Sequence, residues 1–214
     1  MIRALIFDFD GLILDTETPV LEAWAAMHRE AGVEYIEAEA AKIVGHIDMA
    51  YDPWLRFDPS YDRAELHRKH RERSRAMLAA QKILPGVFDY LEEATRRGLR
   101  LAVASNSDHG WVDPHLERLG LRKYFELTRC REDVPRGKPE PDVYQAVLDA
   151  FGIAGREAIA FEDSEPGSLA ATRAGIWNVV VPNPSTKSFA FAHAHVRLTS
   201  LAEQPLSSLL ERFA

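Results

Sequence analysis

The sequence predicts an α/β fold: a doubly wound parallel sheet with a helical cap inserted after the first strand. Three features carry that reading. Short runs of near-continuous hydrophobicity recur along the chain, the mark of strands covered on both faces, as in parallel sheets. Longer stretches with helical spacing separate them, and such alternation builds parallel strands joined by crossover helices. The stretch from Thr16 to Lys82 breaks the alternation and contains no convincing strand.

Taken in order, Ala4-Leu-Ile-Phe-Asp-Phe9 reads as the first strand. Val20, Ala23, Trp24, Met27 and Ala31 then fall on one helical face, and Gly32 supplies a stop. A second, charged helical stretch runs from Arg63 to Ala80, and Pro85-Gly86 restarts the alternation. These limits divide the chain into a core of residues 1–15 and 83–214 and a cap of residues 16–82. Leu99 to Ala104 is the next strand, followed by a crossover helix that carries Trp111, His115, Leu116 and Leu119. Pro139 to Phe151 opens with a proline and continues through Val143, Val147, Leu148 and Phe151, an amphipathic helix. Ala158 to Phe161 and Ile176 to Val181 are strands on either side of a small-residue helix, Leu169 to Ala174, closed by Gly175.

Composition narrows the functions available. Of 214 residues, 46% are hydrophobic and 28% charged, the balance of a globular chain rather than a disordered one. A net charge of −7 argues against general nucleic-acid binding. The single cysteine, Cys130, cannot form an internal disulfide, which fits a reducing compartment. No apolar run approaches the roughly 20 residues needed to span a bilayer. Acidic residues also arrive before a signal-peptide core could form. The expectation is a soluble, cytoplasmic monomer with no membrane partner.

The chemistry-bearing residues sit where strands end. Ligands of a doubly wound sheet bind beyond the carboxyl ends of its strands. There the sequence has Asp8-Phe-Asp-Gly11, Ser105-Asn-Ser107 and Glu162-Asp-Ser164, with Lys138 just ahead of a helix in Arg136-Gly-Lys-Pro-Glu-Pro141. Converging carboxylates repel one another unless a cation sits among them. A hard cation such as Mg²⁺ takes carboxylate, phosphate and water oxygens. Lys138 and Ser105 would then face phosphate oxygens. Alternation puts Asp8 and Asp10 on the same side of the extended chain, so one can be a nucleophile while the other handles the leaving-group proton.

These segments, Asp8-Phe-Asp-Gly-Leu-Ile-Leu-Asp-Thr-Glu17, Ser105-Asn106, Lys138-Pro-Glu-Pro-Asp142 and Phe161-Glu-Asp-Ser to Gly175, closely resemble the four motifs of the haloacid dehalogenase-like hydrolase superfamily. The details are most similar to its β-phosphoglucomutase-like phosphatase branch. The resemblance runs in the correct order from the first strand to about Val181. It implies a Rossmann-like core with a helical insertion after the first strand. It also implies a Mg²⁺-dependent phosphohydrolase that acts on a small phosphorylated metabolite of sugar-phosphate type through an aspartyl phosphate. By the same resemblance Asp8 is the nucleophile and a metal ligand, while Asp10 is the general acid and base and lends its backbone carbonyl to the metal. Ser105 and Asn106 hold the phosphoryl group, Lys138 balances charge, and Asp163 binds the metal with Glu162 beside it.

Three rivals share the scaffold. A sugar phosphomutase of this branch carries a histidine in the first cap helix where this chain has Val20. It also carries an arginine in the cap loop where this chain has His46-Ile47-Asp48. Both departures favour hydrolysis. A haloacid dehalogenase lacks the second aspartate, so Asp10 argues against it. A non-enzymatic protein that kept the fold is disfavoured because every chemical position is filled.

Other features read as ordinary. Arg63 to Arg75 holds six Arg or Lys against Glu65 and Glu72, which makes a solvated helix face the first reading and a lid attracting anions the second. His46 reads as a polar loop residue near a specificity loop. Gly137-Lys138 is no phosphate-binding P-loop, since Pro139 and Glu132 stand where Ser/Thr and Gly are needed. A Gly-X-Ser-X-Gly elbow is missing too.

Overall fold

The computed structural model describes residues 1–40 and 51–213, so His46 and its loop lie outside the described residues. Six strands form one parallel sheet: β1 (Ala4–Phe7), β2 (Arg100–Ala104), β3 (Leu127–Arg129), β4 (Ala158–Glu162), β5 (Trp177–Val180) and β6 (Val196–Arg197). Their order is β3-β2-β1-β4-β5-β6, which places β1 between β2 and β4. The helices are α1 (Glu17–Ala31), α2 (Glu37–Ala40), α3 (Arg63–Ala79), α4 (Val87–Arg96), α5 (His109–Arg118), α6 (Asp142–Phe151), α7 (Glu165–Arg173) and α8 (Leu206–Arg212).

The four expected strands are present, and the sheet gains β3 and β6 at its two edges. Two expected helices shift their starts. The α6 helix begins at Asp142 rather than Pro139, because Pro141 disfavours helical backbone at the residue before it, Glu140. The α7 helix begins at Glu165, four residues early, because the Ser164 hydroxyl accepts from the Gly167 N–H and caps it there.

Strand alternation explains why the sheet is covered twice. Leu5 and Phe7 of β1 point into one layer, with Val87 and Leu91 of α4, Val112 and Leu116 of α5, and Leu206 and Leu209 of α8. Ala4 and Ile6 point into the other, with Val143 and Val147 of α6 and Ala170 and Ala171 of α7. Phe7 stacks on Phe161 of β4 at 4.8 Å between ring centroids. Burying a Val, Leu, Ile or Phe side chain fully contributes about 1.5–3 kcal/mol.

The chain leaves the sheet after β1 and returns before α4 through paired backbone. Leu14 bridges Ile83 in antiparallel fashion, and the Leu84 N–H donates to the Ile13 carbonyl at 3.0 Å. Between these points α1 and α3 pack together around their own apolar cluster of Leu21, Trp24, Met27, Trp54, Phe57 and Leu66. The basic residues of α3 are largely paired with local acids. Arg68 bonds Glu65 and Glu72, Lys69 bonds Glu65, Arg73 bonds Glu30, and Arg63 bonds Asp52. That pairing fits the solvated face. Among the described residues, no helix is long and apolar enough to cross a membrane.

Candidate active site

The side chains at the carboxyl ends of β1, β2 and β4 meet around one buried ammonium. Asp8 follows β1, and its N–H donates to the Phe161 carbonyl at 3.0 Å, extending the ladder by one residue. Lys138 is 3% exposed at its side chain. Its Nζ donates to Asp8 Oδ1 at 2.8 Å, to Glu162 Oε1 at 2.7 Å and to the Ala104 carbonyl at 2.9 Å. An ammonium has three N–H donors, and all three are used. The other Asp8 oxygen has no hydrogen-bond partner among the described residues.

The loop that carries Lys138 is held by Asn106. The Lys138 N–H donates to Asn106 Oδ1 at 2.7 Å, and Asn106 Nδ2 donates to the Lys138 carbonyl at 3.1 Å. Expected as a phosphate ligand, Asn106 thus has its side-chain amide engaged on the backbone of Lys138. Ser105 is buried, and its Oγ accepts from the Ser107 N–H at 3.0 Å.

Glu162 has no exposure. Besides Lys138 it accepts from the Tyr144 hydroxyl at Oε1 and from Ser164 Oγ at Oε2, the latter at 3.4 Å. Helix α7 crosses directly above it. A Cβ added at Gly167 would lie 1.9 Å from Glu162 Oε2, so only glycine fits. Gly11 makes a similar close approach with φ at +75°, and a Cβ there would lie 2.1 Å from Asp163 Oδ2. Asp163 is oriented by Asn183, whose Nδ2 donates to that oxygen at 2.7 Å.

Oxygens of Asp8, Glu162 and Asp163 lie within 4.8 Å of one another. Three carboxylates face one ammonium, and the imbalance bears on Asp8 and Asp163. Burial pushes the Asp8 carboxyl up to about 7, with Lys138 opposing the rise and Glu162 and Asp10 adding to it. Burial, then Asp8 and Glu162, hold Asp163 well above the ordinary carboxylate range. Lys138 is raised by Asp8 and Glu162 although burial opposes it, and it stays charged. A hard divalent cation would offset the excess negative charge. The donor set fits one: Asp163 keeps an oxygen outside its bond to Asn183, and Asp8 an oxygen outside its bond to Lys138. Glu162 is already satisfied by three donors.

Asp10 stands apart from this cluster. Ser107 Oγ donates to its Oδ2 at 2.6 Å and Trp111 Nε1 to its Oδ1 at 2.9 Å. The half-buried Glu17 opens α1. Burial pushes its carboxyl up to about 8, and the charges of Asp10, Asp15 and Asp8 add to the shift.

All six residues singled out for chemistry are therefore found around β1, β2 and β4, and Asp8, Lys138 and Asp163 stand together. The sequence does not single out Tyr144, Asn183 or Trp111 as site residues, and it offers Ser107 only as part of a polar strand end with no role of its own. Asn183 could have been singled out, because it follows the predicted strand ending at Val181 as Asp8 follows the first.

Comparison with known proteins agrees. A sequence profile described as haloacid dehalogenase-like hydrolase matches residues 2–175. YhcW of Bacillus subtilis (strain 168), named as a candidate phosphatase, is 39% identical over 215 residues, covering 99% of this chain and 97% of its own. A Thermotoga maritima protein named phosphorylated carbohydrates phosphatase is 33% identical over 177 residues, covering 81% of this chain and 82% of its own. The crystal structure of CbbY from Rhodobacter sphaeroides in complex with phosphate matches with a TM-score of 0.73 at 30% identity, covering 98% of this chain and 99% of that one.

Proposed function

The chain belongs to the haloacid dehalogenase-like hydrolase family, and from that premise we propose a Mg²⁺-dependent phosphatase of small, sugar-like phosphorylated metabolites that works through an aspartyl phosphate on Asp8. The observation that carries this reading is Asp8 itself. It is a buried carboxylate with one oxygen fixed by Lys138 at 2.8 Å and the other unpartnered among the described residues, beside Glu162 and Asp163. The names of the relatives support the substrate class.

Asp8 and Asp163 would hold the cation, together with the backbone carbonyl of Asp10. When bound, Mg²⁺ would offset charge on the transferring phosphoryl oxygens. A carboxylate oxygen of Asp8 attacks phosphorus while Asp10 delivers a proton to the departing alcohol oxygen. In the second half Asp10 takes a proton from the water that cleaves the aspartyl phosphate. Ser105, through its hydroxyl, and Asn106, through its place in the same loop, steady the phosphoryl group. Lys138 balances the charge that Asp8 and the phosphoryl group bring together. Residues 16–82 act as a cap that governs access, and residues 1–15 and 83–214 as the catalytic core.

Hydrolysis is favoured over phosphoryl return to a second sugar hydroxyl because Val20 offers no proton-transfer group. Its carbonyl accepts from His70 Nε2 at 3.1 Å, so that imidazole is tied to the backbone. The test is phosphate release from a panel of sugar phosphates. Release should stop in excess EDTA, return with Mg²⁺, and be absent in Asp8→Asn. Full activity in EDTA, or in Asp8→Asn, would sink the mechanism. Conversion of β-glucose 1-phosphate into glucose 6-phosphate faster than phosphate release would replace the phosphatase with a mutase.

A further inference from the structure

Each carboxylate oxygen of Asp10 has its own donor, and the two donors are chemically unlike. Oδ2 receives the Ser107 hydroxyl at 2.6 Å, and Oδ1 receives the Trp111 indole N–H at 2.9 Å. A hydroxyl rotates and can donate or accept, whereas an indole N–H only donates.

The indole is held in place. Trp111 lies in the first turn of α5, where the Asp108 carboxylate caps the helix by accepting the Trp111 backbone N–H at 2.8 Å. Its ring lies against His115 with centroids 4.5 Å apart, and its carbonyl accepts from His115 Nδ1 at 2.7 Å. Ser107 is fixed separately. Its carbonyl accepts from the Arg131 N–H at 3.0 Å, and its own N–H donates to Ser105 Oγ.

We infer that Trp111 is the positioning residue for proton transfer. It keeps Oδ1 of Asp10 an acceptor, so the transferable proton is carried on Oδ2, on the Ser107 side. The inference rests on the reading of Asp10 as general acid and base. A proton on Oδ1 would leave the indole N–H only a hydroxyl oxygen to donate to, a poorer acceptor than the carbonyl oxygen of the carboxyl group, and would weaken the bond. A proton on Oδ2 meets no such conflict, because the Ser107 hydroxyl can turn its hydrogen away and accept until the alcohol oxygen takes the proton. In the first half-reaction the Oδ2–H bond breaks as the phosphorus–oxygen bond to the alcohol breaks. The proton passes to the alcohol oxygen, Asp10 becomes a carboxylate, and Ser107 donates to it again. In the second half an O–H bond of water breaks and the proton returns to Oδ2. The indole exchanges no proton in either half.

The experiment compares kcat/KM for two substrates, because this ratio reports only steps up to the first irreversible one. Nitrophenolate leaves p-nitrophenyl phosphate without help from an acid, whereas the alkoxide of glucose 6-phosphate needs one. The proteins are the parent, Asp10→Asn, Trp111→Phe, and enzyme carrying 3-benzothienylalanine at position 111. That last residue keeps the shape of tryptophan and replaces N–H by sulfur. Both changes at position 111 should lower the alkyl-to-aryl ratio of kcat/KM by about tenfold to a hundredfold, the scale of impaired acid catalysis. Asp10→Asn should lower it at least as far. An equal fall for both substrates would make Trp111 a packing residue and overturn the inference. So would a loss with phenylalanine that benzothienylalanine does not reproduce. An unchanged ratio in Asp10→Asn would instead remove the acid–base reading itself, whatever happens at position 111.

Discussion

Lys138→Met removes the one ammonium in the buried cluster while keeping most of its aliphatic stem. The change strands Glu162, which has no exposure, and Asp8, whose side chain is 9% exposed. Breaking a buried ion pair by removing one partner costs about 3–5 kcal/mol, mainly because the remaining charge keeps its desolvation penalty without its partner. In a chain of this size, about 1 kcal/mol moves the melting temperature by about 2–4 °C. A fall of about 6–20 °C in EDTA follows, to be read by thermal melting and by the urea midpoint. The stranded charge is the cause, so Glu162→Gln in the Lys138→Met background should recover part of the loss. The two substitutions should be coupled rather than additive. A loss under about 1 kcal/mol for Lys138→Met, or a double variant that falls by the sum of the singles, would refute the buried-pair account.

Two further outcomes follow. Gly167→Ala drives a methyl to within 1.9 Å of Glu162 Oε2. Overpacking of this kind costs about 1–3 kcal/mol and should pull Glu162 off Lys138, so stability and turnover should fall together; a variant indistinguishable from the parent in both would contradict the geometry. The His109 imidazole sits between Asp113 and Asp133, 2.9 Å from each, and although burial pulls it down, the two carboxylates hold it above the ordinary imidazole value. A raised folded value means the stabilisation is complete below the unfolded value and is lost as pH rises through the folded one. Melts across pH 5 to 9 should therefore show His109→Ala most deficient at the acidic end, and a deficit that grows with pH would contradict the ion pair.

Much of this was legible beforehand because the informative residues obey local rules. The strands that support the site are apolar runs of four or five residues, and their period and length separate them from helices. The two edge strands were not legible. Leu127–Arg129 is three residues long with a Thr and an Arg, and Val196–Arg197 only two, too few to show a period. At the site, position relative to a strand end identified Asp8, Ser105 and Asp163. What side chains do to one another depends on angles that spacing does not carry. Nothing local in Asn106 says that its amide will grip the backbone of Lys138 thirty-two residues later. Nothing in Trp111 marks it as a donor to Asp10 rather than a core residue, since an indole serves either purpose.

The antiparallel bridge between Leu14 and Ile83 closes a long excursion of the chain onto a single hydrogen-bonded point. For the sheet, everything between those residues is one loop, and the entropy of closing a loop grows only logarithmically with its length. Lengthening, trimming or replacing the part of that excursion that precedes Leu78, which packs into the sheet's own core, therefore costs the sheet little, while Asp8 stays where β2 and β4 hold it on either side of β1. We propose that an inserted segment anchored in this way is an exchangeable part. Laboratory chimaeras that join foreign segments at Leu14 and Ile83 and keep an apolar residue in the place of Leu78 should keep the fold and inherit whatever selectivity the new segment brings.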